Sequence, residues 1–251
     1  MMLKKSFNCL KGVQAYGLAA LVAFAFYAVP ALAQVPCVKH DPYHAVTYLL
    51  VDRSDPAGNL SALEQTLHSV EEAIAPGERL IVGVSVGSAA DTRVVMDVVK
   101  PEPSVWESAL KVRAKEKAFK DCLSATKSGI TGSSETAKHS ALLETLSFVS
   151  SVLMAGPEIP SRRLVMFSDM IQNTPELSFW GSSQVVPKLA LQKVEKDNLL
   201  PNLKGVAVYV AGAGGGLPAA KAQQLQEFWK AYFEKSGARL KFYGPLLLGI
   251  S

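Results

Sequence analysis

The sequence predicts an α/β fold: a mostly parallel open sheet with one antiparallel edge strand and helices on both faces. Three observations carry this expectation. Short apolar runs alternate along the chain with longer amphipathic stretches, as in successive strand–helix units. The runs at residues 46–51 and 164–168 are apolar nearly throughout and end in polar turn residues, which suits strands buried on both faces. The runs at residues 79–86 and 93–99 are separated only by the polar turn 87–92, which permits a hairpin but not a parallel crossover.

The elements follow in order. Residues 46–51 form the first strand. Residues 59–74 carry Leu60, Leu63, Leu67, Val70 and Ile74 at the three-and-four spacing of one helix face, and Pro76-Gly77 stops that helix. Residues 79–86 are the second strand and 93–99 the antiparallel edge, closed by Pro101 and Pro103. A Lys-rich helix is expected over 104–123, anchored by Trp106, Leu110, Val112 and Phe119, and a polar Ser/Gly/Thr loop over 127–137. Residues 138–154 read as a helix whose apolar face is Leu142, Leu143, Leu146, Val149 and Val152; Gly156-Pro157 and Pro160 break it. Then come a strand at 164–168 and a helix at 184–196 with Pro187 in its first turn. A strand at 205–210, a helix at 218–235 and a last strand at 239–243 complete the chain, in which no internal repeat is visible.

The N-terminus sets the compartment. Lys4, Lys5 and Lys11 precede an apolar stretch over 16–29 and then Ala31-Leu32-Ala33, the marks of a secretory signal peptide cleaved after Ala33. That stretch is short for a membrane span, which makes an uncleaved anchor the alternative. The chain therefore divides into a signal peptide (1–33), an N-terminal extension (34–44) and one domain (45–251), with no span after cleavage. The location implied is periplasmic or secreted. Cleavage removes three Lys and no acids, so a formal charge of +4 falls to +1, which gives no electrostatic case for nucleic acid or an anionic surface. Cys9 leaves with the leader. Cys37 and Cys122 remain, a pair for a disulfide in an oxidising compartment or two separate thiols.

The site is read from strand ends. The first strand closes on Asp52-Arg53-Ser54-Asp55, and the strand at 164–168 closes on Ser168-Asp169. In open α/β sheets ligands bind beyond the carboxyl ends of the strands. Oxygen donors from two strands at one edge suit a hard cation such as Mg²⁺. Asp52-x-Ser54, a hydroxyl opening the helix after 138, and Asp169 after a later strand resemble the von Willebrand factor type A domain, whose metal-ion-dependent adhesion site follows D-x-S-x-S, then T, then D. The resemblance spans residues 45–243. It implies a type A or Rossmann-like three-layer sandwich. It also implies an ion (Mg²⁺ or Mn²⁺) held by Asp52, Ser54, Ser140 and Asp169, completed by an acidic residue of a partner protein. Thr136 is the alternative to Ser140. Pro56 stands at the third hydroxyl position, where it cannot ligate through its side chain, and Asp55 is the nearest substitute.

Other motifs carry less. Gly83-Val84-Ser85-Val86-Gly87 matches a nucleophile elbow, but polar turn residues follow it rather than a helix, and His139 precedes Asp169. Gly212-Ala213-Gly214-Gly215-Gly216 has Leu217 where a dinucleotide fingerprint needs glycine, and too little chain follows it. His40 and His44 flank Pro42, which opposes a helical metal pair. Trp180 lies in a loop after Asp169 and reads either as a partner anchor or as a buried loop residue. The function expected is an exported, non-enzymatic protein-binding module. A metal-free structural subunit of an envelope or secretion assembly is the alternative, and a metal-assisted hydrolase a further one.

Overall fold

Eight consecutive buried residues, Ala45–Asp52, form the central strand β2, preceded by the two-residue strand β1 (Val38–Lys39). The structure is a computed structural model that describes residues 37–39, 42–54, 60–133, 137, 139–156, 158–181, 185–247 and 249–250. After β2 come α1 (Leu60–Ala73), β3 (Glu78–Ser85), β4 (Arg93–Val99), α2 (Ala109–Gly132), α3 (Leu142–Met154) and β5 (Ser161–Phe167). Then follow α4 (Pro187–Lys196), β6 (Ala207–Ala211), α5 (Ala219–Lys235) and β7 (Arg239–Tyr243). The signal peptide, His40, Asp55, Pro56 and Thr136 lie outside the described residues.

Among the described residues, seven strands make one sheet in the order β1-β4-β3-β2-β5-β6-β7. The strands β3, β2, β5, β6 and β7 run parallel, and β4 is antiparallel to β3 as the short turn requires. β4 is not the outermost strand, however. β1 pairs with it in parallel, setting Val38 against Asp97. Residues 38–39 are too few to show a strand period, and the sequence placed them in the extension.

Period-two alternation divides β2 between two apolar clusters. Tyr48 and Leu50 face Leu143, Leu146, Leu225 and Trp229, from α3 and α5. Leu49 and Val51 face Leu63, Leu67 and Leu123, from α1 and α2. The result is a three-layer sandwich. On α5, Phe228, Trp229, Tyr232 and Phe233 are all fully buried, each burial contributing about 1.5–3 kcal/mol.

Helix α2 departs most from expectation. It starts at Ala109, not 104, because Ser108 caps it by accepting the Lys111 amide. It then runs through the expected loop to Gly132, since Thr126 and Ile130 continue the inward face begun by Cys122 and Leu123. Trp106 and Leu110 are not anchors: they are 92% and 78% exposed. α3 begins at Leu142 rather than 138, because Ser140 is held extended by a bridge to Asn173. Cys37 and Cys122 are disulfide-bonded, with Cα atoms 5.8 Å apart, which ties β1 to α2. No helix among the described residues is long and apolar enough to cross a membrane.

Candidate metal centre

The strand order reverses between β2 and β5, with β3 and β4 to one side and β6 and β7 to the other. The crevice beyond the carboxyl ends of such a pair is where this architecture binds ligands. Asp52 is the last residue of β2, and Ser168-Asp169 directly follows β5. The three side chains therefore start from the switch point by topology alone.

Asp52 is the centre of the cluster and is buried. Its Oδ1 accepts the Ser54 amide at 2.9 Å, which turns the chain sharply after the strand. Its Oδ2 accepts the Ser168 hydroxyl at 2.8 Å and the Ser140 hydroxyl at 3.4 Å. Burial raises the Asp52 pKa above its ordinary value; hydrogen bonds from Ser54, Ser168 and Ser140 oppose that rise. A carboxyl raised in this way is protonated more readily folded than unfolded. Its favourable contribution is complete below the ordinary carboxylate range and is lost as the pH rises through the folded value. The charged form of Asp52 therefore weakens the fold relative to the protonated one, and a bound cation relieves such a cost.

Two glycines let the neighbouring loops close on Asp52. Gly87 has φ +90°, and a Cβ there would lie 2.7 Å from the Ala137 Cβ and 3.1 Å from the His139 carbonyl oxygen. Its own carbonyl accepts the Ala141 amide at 2.7 Å, which seats the Ser140 loop against the end of β3. Gly212 has φ +86°, and a Cβ there would press on the Ser168 backbone at 3.1 Å. On the β5 side, Met170 holds φ 63°, an uncommon value for a non-glycine residue. Met170 is buried, its amide donates to the Ser168 hydroxyl, and its carbonyl accepts the Trp229 indole at 2.8 Å. Core packing thus fixes the turn that aims Ser168.

The structure brings Asp52, Ser54 and Ser140 together. Asp169 sits on the adjoining turn, its Oδ1 accepting the Ile171 amide at 2.9 Å. Its charge adds to burial in raising the Tyr243 phenol. The alternatives Asp55 and Thr136 fall outside the described residues, as does Pro56. Ser168 was not singled out from sequence. Its signal is a hydroxyl at a strand end immediately before a carboxylate. Trp180 is exposed, and its loop is joined to the site: Ser178 donates to Asn173, which bridges Ser140. Ser85 ends β3 and hydrogen-bonds Thr145 and Thr92 within the core.

The donor set fits a hard cation: one buried carboxyl and hydroxyl oxygens. Among the described residues no three His, Cys, Asp or Glu side chains cluster to hold a metal, so an ion here would rest on hydroxyl oxygens beside Asp52.

The central strand β2, an antiparallel strand after a short turn, and an acidic switch point between β2 and β5 define the architecture. The fold is von Willebrand factor type A-like. No family model matches the sequence, and no curated protein does. Solved structures with a similar arrangement include the ArnB paralog VWA2 from Sulfolobus acidocaldarius, at 11% identity and a TM-score of 0.43, covering 82% of this chain and 42% of that one. A pilus adhesin, SpaC from Lactobacillus rhamnosus GG, gives 11% identity and a TM-score of 0.47, covering 82% of this chain and 29% of that one. The conserved hypothetical protein BatB from Bacteroides thetaiotaomicron gives 12% and 0.41, covering 82% and 91%. The chain thus spans less than half the length of VWA2 and of SpaC. At these identities the likeness concerns the fold alone.

Proposed function

We propose that this chain is an exported, non-catalytic module that binds a partner protein through a divalent cation at the carboxyl edge of its sheet. The observation that carries the reading is Asp52: a buried carboxylate at the switch point, ringed by hydroxyls and, among the described residues, with no basic partner. Asp52, Ser54 and Ser140 hold the ion, Mg²⁺ or Mn²⁺, and Asp169 supports it from the next turn. The bound ion supplies positive charge and an open position for an acidic residue of the partner. Exposed Trp180, on the loop tied to Ser140, offers an apolar contact beside it. The Cys37–Cys122 disulfide supports a periplasmic or secreted location, because such bonds persist in oxidising compartments.

A second reading has its own support. The Ser54 amide and the Ser168 hydroxyl already satisfy both Asp52 oxygens, which suits a metal-free structural subunit. Thermal melts separate the two. At a Mg²⁺ concentration about a hundredfold above Kd, wild type should gain about 2.7 kcal/mol over the EDTA-treated protein. For a domain of this size that is an upshift of roughly 5–10 °C. Asp52→Ala should show no upshift. An equal upshift in both proteins would place the ion elsewhere, and none in either would favour the structural subunit.

A further inference from the structure

The near-neutral charge of the whole domain hides a local feature at the other end of the molecule. β4 ends at Val99, opposite Arg79 at the start of β3, so the loop that follows leaves the sheet's amino edge. Asp52 lies at the carboxyl edge. That loop makes a tight turn: the Glu107 amide donates to the Ser104 carbonyl at 3.0 Å, and the Trp106 amide donates to the Ser104 hydroxyl at 3.3 Å. Val105 and Trp106 stand at its tip, 93% and 92% exposed. Large apolar side chains held this far into water on an ordered turn mark an interaction surface.

The first part of α2 extends the feature. The helix is 24 residues long, about 36 Å, and none of its residues before Cys122 is buried. The disulfide fixes it at that first buried position. The preceding turns form an arm whose outward face carries Leu110, 78% exposed, with Arg113 and Lys117 three and seven residues on. From Ala109 to Asp121 the arm has five cations and two carboxylates. Three of those cations are already paired, Lys115 and Lys111 with Glu107 and Lys117 with Asp121, so Arg113 and Lys120 carry the charge the arm offers to a surface. Glu107 lies between Lys115 and Lys111, at 2.6 and 3.4 Å, and Glu102 turns back toward Gly77.

We propose that the Val105–Trp106 turn, with Leu110 and the cationic outward face of α2 behind it, docks this domain on an anionic lipid surface. The tip is convex, so it enters a yielding layer and offers no groove to a peptide. Tryptophan suits the membrane–water boundary, where its ring is apolar and its indole N–H stays wet. One apolar wedge alone holds a surface only marginally, and the neighbouring cations provide the second signal such binding needs. Each Lys or Arg near an anionic leaflet strengthens binding about fivefold. With the wedge on lipid, the Asp52 edge faces away from the membrane, open to a partner.

The test is co-sedimentation of the mature domain, in EDTA and low salt, with vesicles of phosphatidylcholine alone or of equimolar phosphatidylcholine and phosphatidylglycerol. Wild type should bind the anionic vesicles and be released by added salt. The Val105→Ser/Trp106→Ser double variant should bind at least roughly tenfold more weakly. Arg113→Ala should lose about fivefold. These side chains lie outside the core, so the melting midpoints should match wild type. Asp52→Ala should bind vesicles normally, which separates this surface from the metal site. No partition onto anionic vesicles, or equal partition of wild type and the double variant, would overturn the proposal. A wild-type dimer in sedimentation velocity that Trp106→Ser abolishes, without lipid binding, would overturn it in favour of a second copy of the chain.

Discussion

Glu78→Ala should lower the stability of the domain by about 3–5 kcal/mol, the cost of leaving a buried charge without its partner. Glu78 is 2% exposed at the amino edge of the sheet. Both its oxygens accept from the Arg163 guanidinium at 2.7 Å, and they also take the Thr47 hydroxyl and the Ala75 amide. Arg163 further donates to the Ala73 carbonyl and the Thr47 hydroxyl. The network joins β2, β3 and β5 at their starts, below the apolar layers. Removing Glu78 strands the guanidinium where only a small part of it reaches water. Urea denaturation at neutral pH measures the effect as a lower midpoint at unchanged slope. A Glu78→Leu/Arg163→Met double variant should recover most of the loss, because an apolar pair removes the uncompensated charge. A loss below about 1 kcal/mol in the single variant would show that Arg163 re-solvates at the edge.

Breaking the Cys37–Cys122 bond should cost a comparable amount, about 2–5 kcal/mol. The bond closes a separation of 85 residues, and a loop that long loses much unfolded-chain entropy. It also holds β1, which has only two residues of pairing with β4. Reductant should lower the melting midpoint by roughly 4–20 °C for a domain of this size. Cys37→Ala/Cys122→Ala should start at the lower value and ignore reductant. A wild-type midpoint unmoved by full reduction would contradict the expectation.

Much of this molecule was legible in its sequence. The apolar runs gave the strands around Tyr48, Leu164 and Val208, because burial on both faces leaves little room for polar residues. The turn 87–92 fixed β4 as antiparallel by its shortness. Asp52 and Ser54 were readable because a carboxylate and a hydroxyl end a buried strand, and Ser140 because it precedes an amphipathic run. α2 was misread where its composition misled. Trp106 and Leu110 look like core residues, yet they sit before the helix reaches the sheet. Thr126 is polar, yet it is buried on the face of Cys122 and Ile130. Ser168 was hidden inside a strand signal, and its role depends on Met170 and Gly212, whose backbone angles no residue pattern reveals. The Glu78–Arg163 pair escaped notice because the two lie 85 positions apart and meet only through strand order.

The central claim is that Asp52 organises a cation site, and calorimetric titration of Mg²⁺ into the EDTA-stripped mature domain tests it most directly. Wild type should bind one ion, with affinity falling as the pH drops and the raised Asp52 carboxyl takes its proton. Asp52→Asn keeps the shape and removes the charge, so it should abolish binding without unfolding the domain. Ser140→Ala should weaken binding by roughly tenfold, the loss of one neutral oxygen donor. One-to-one binding that disappears in Asp52→Asn is the result this account predicts. No heat of binding in wild type, or binding that Asp52→Asn leaves intact, would contradict it.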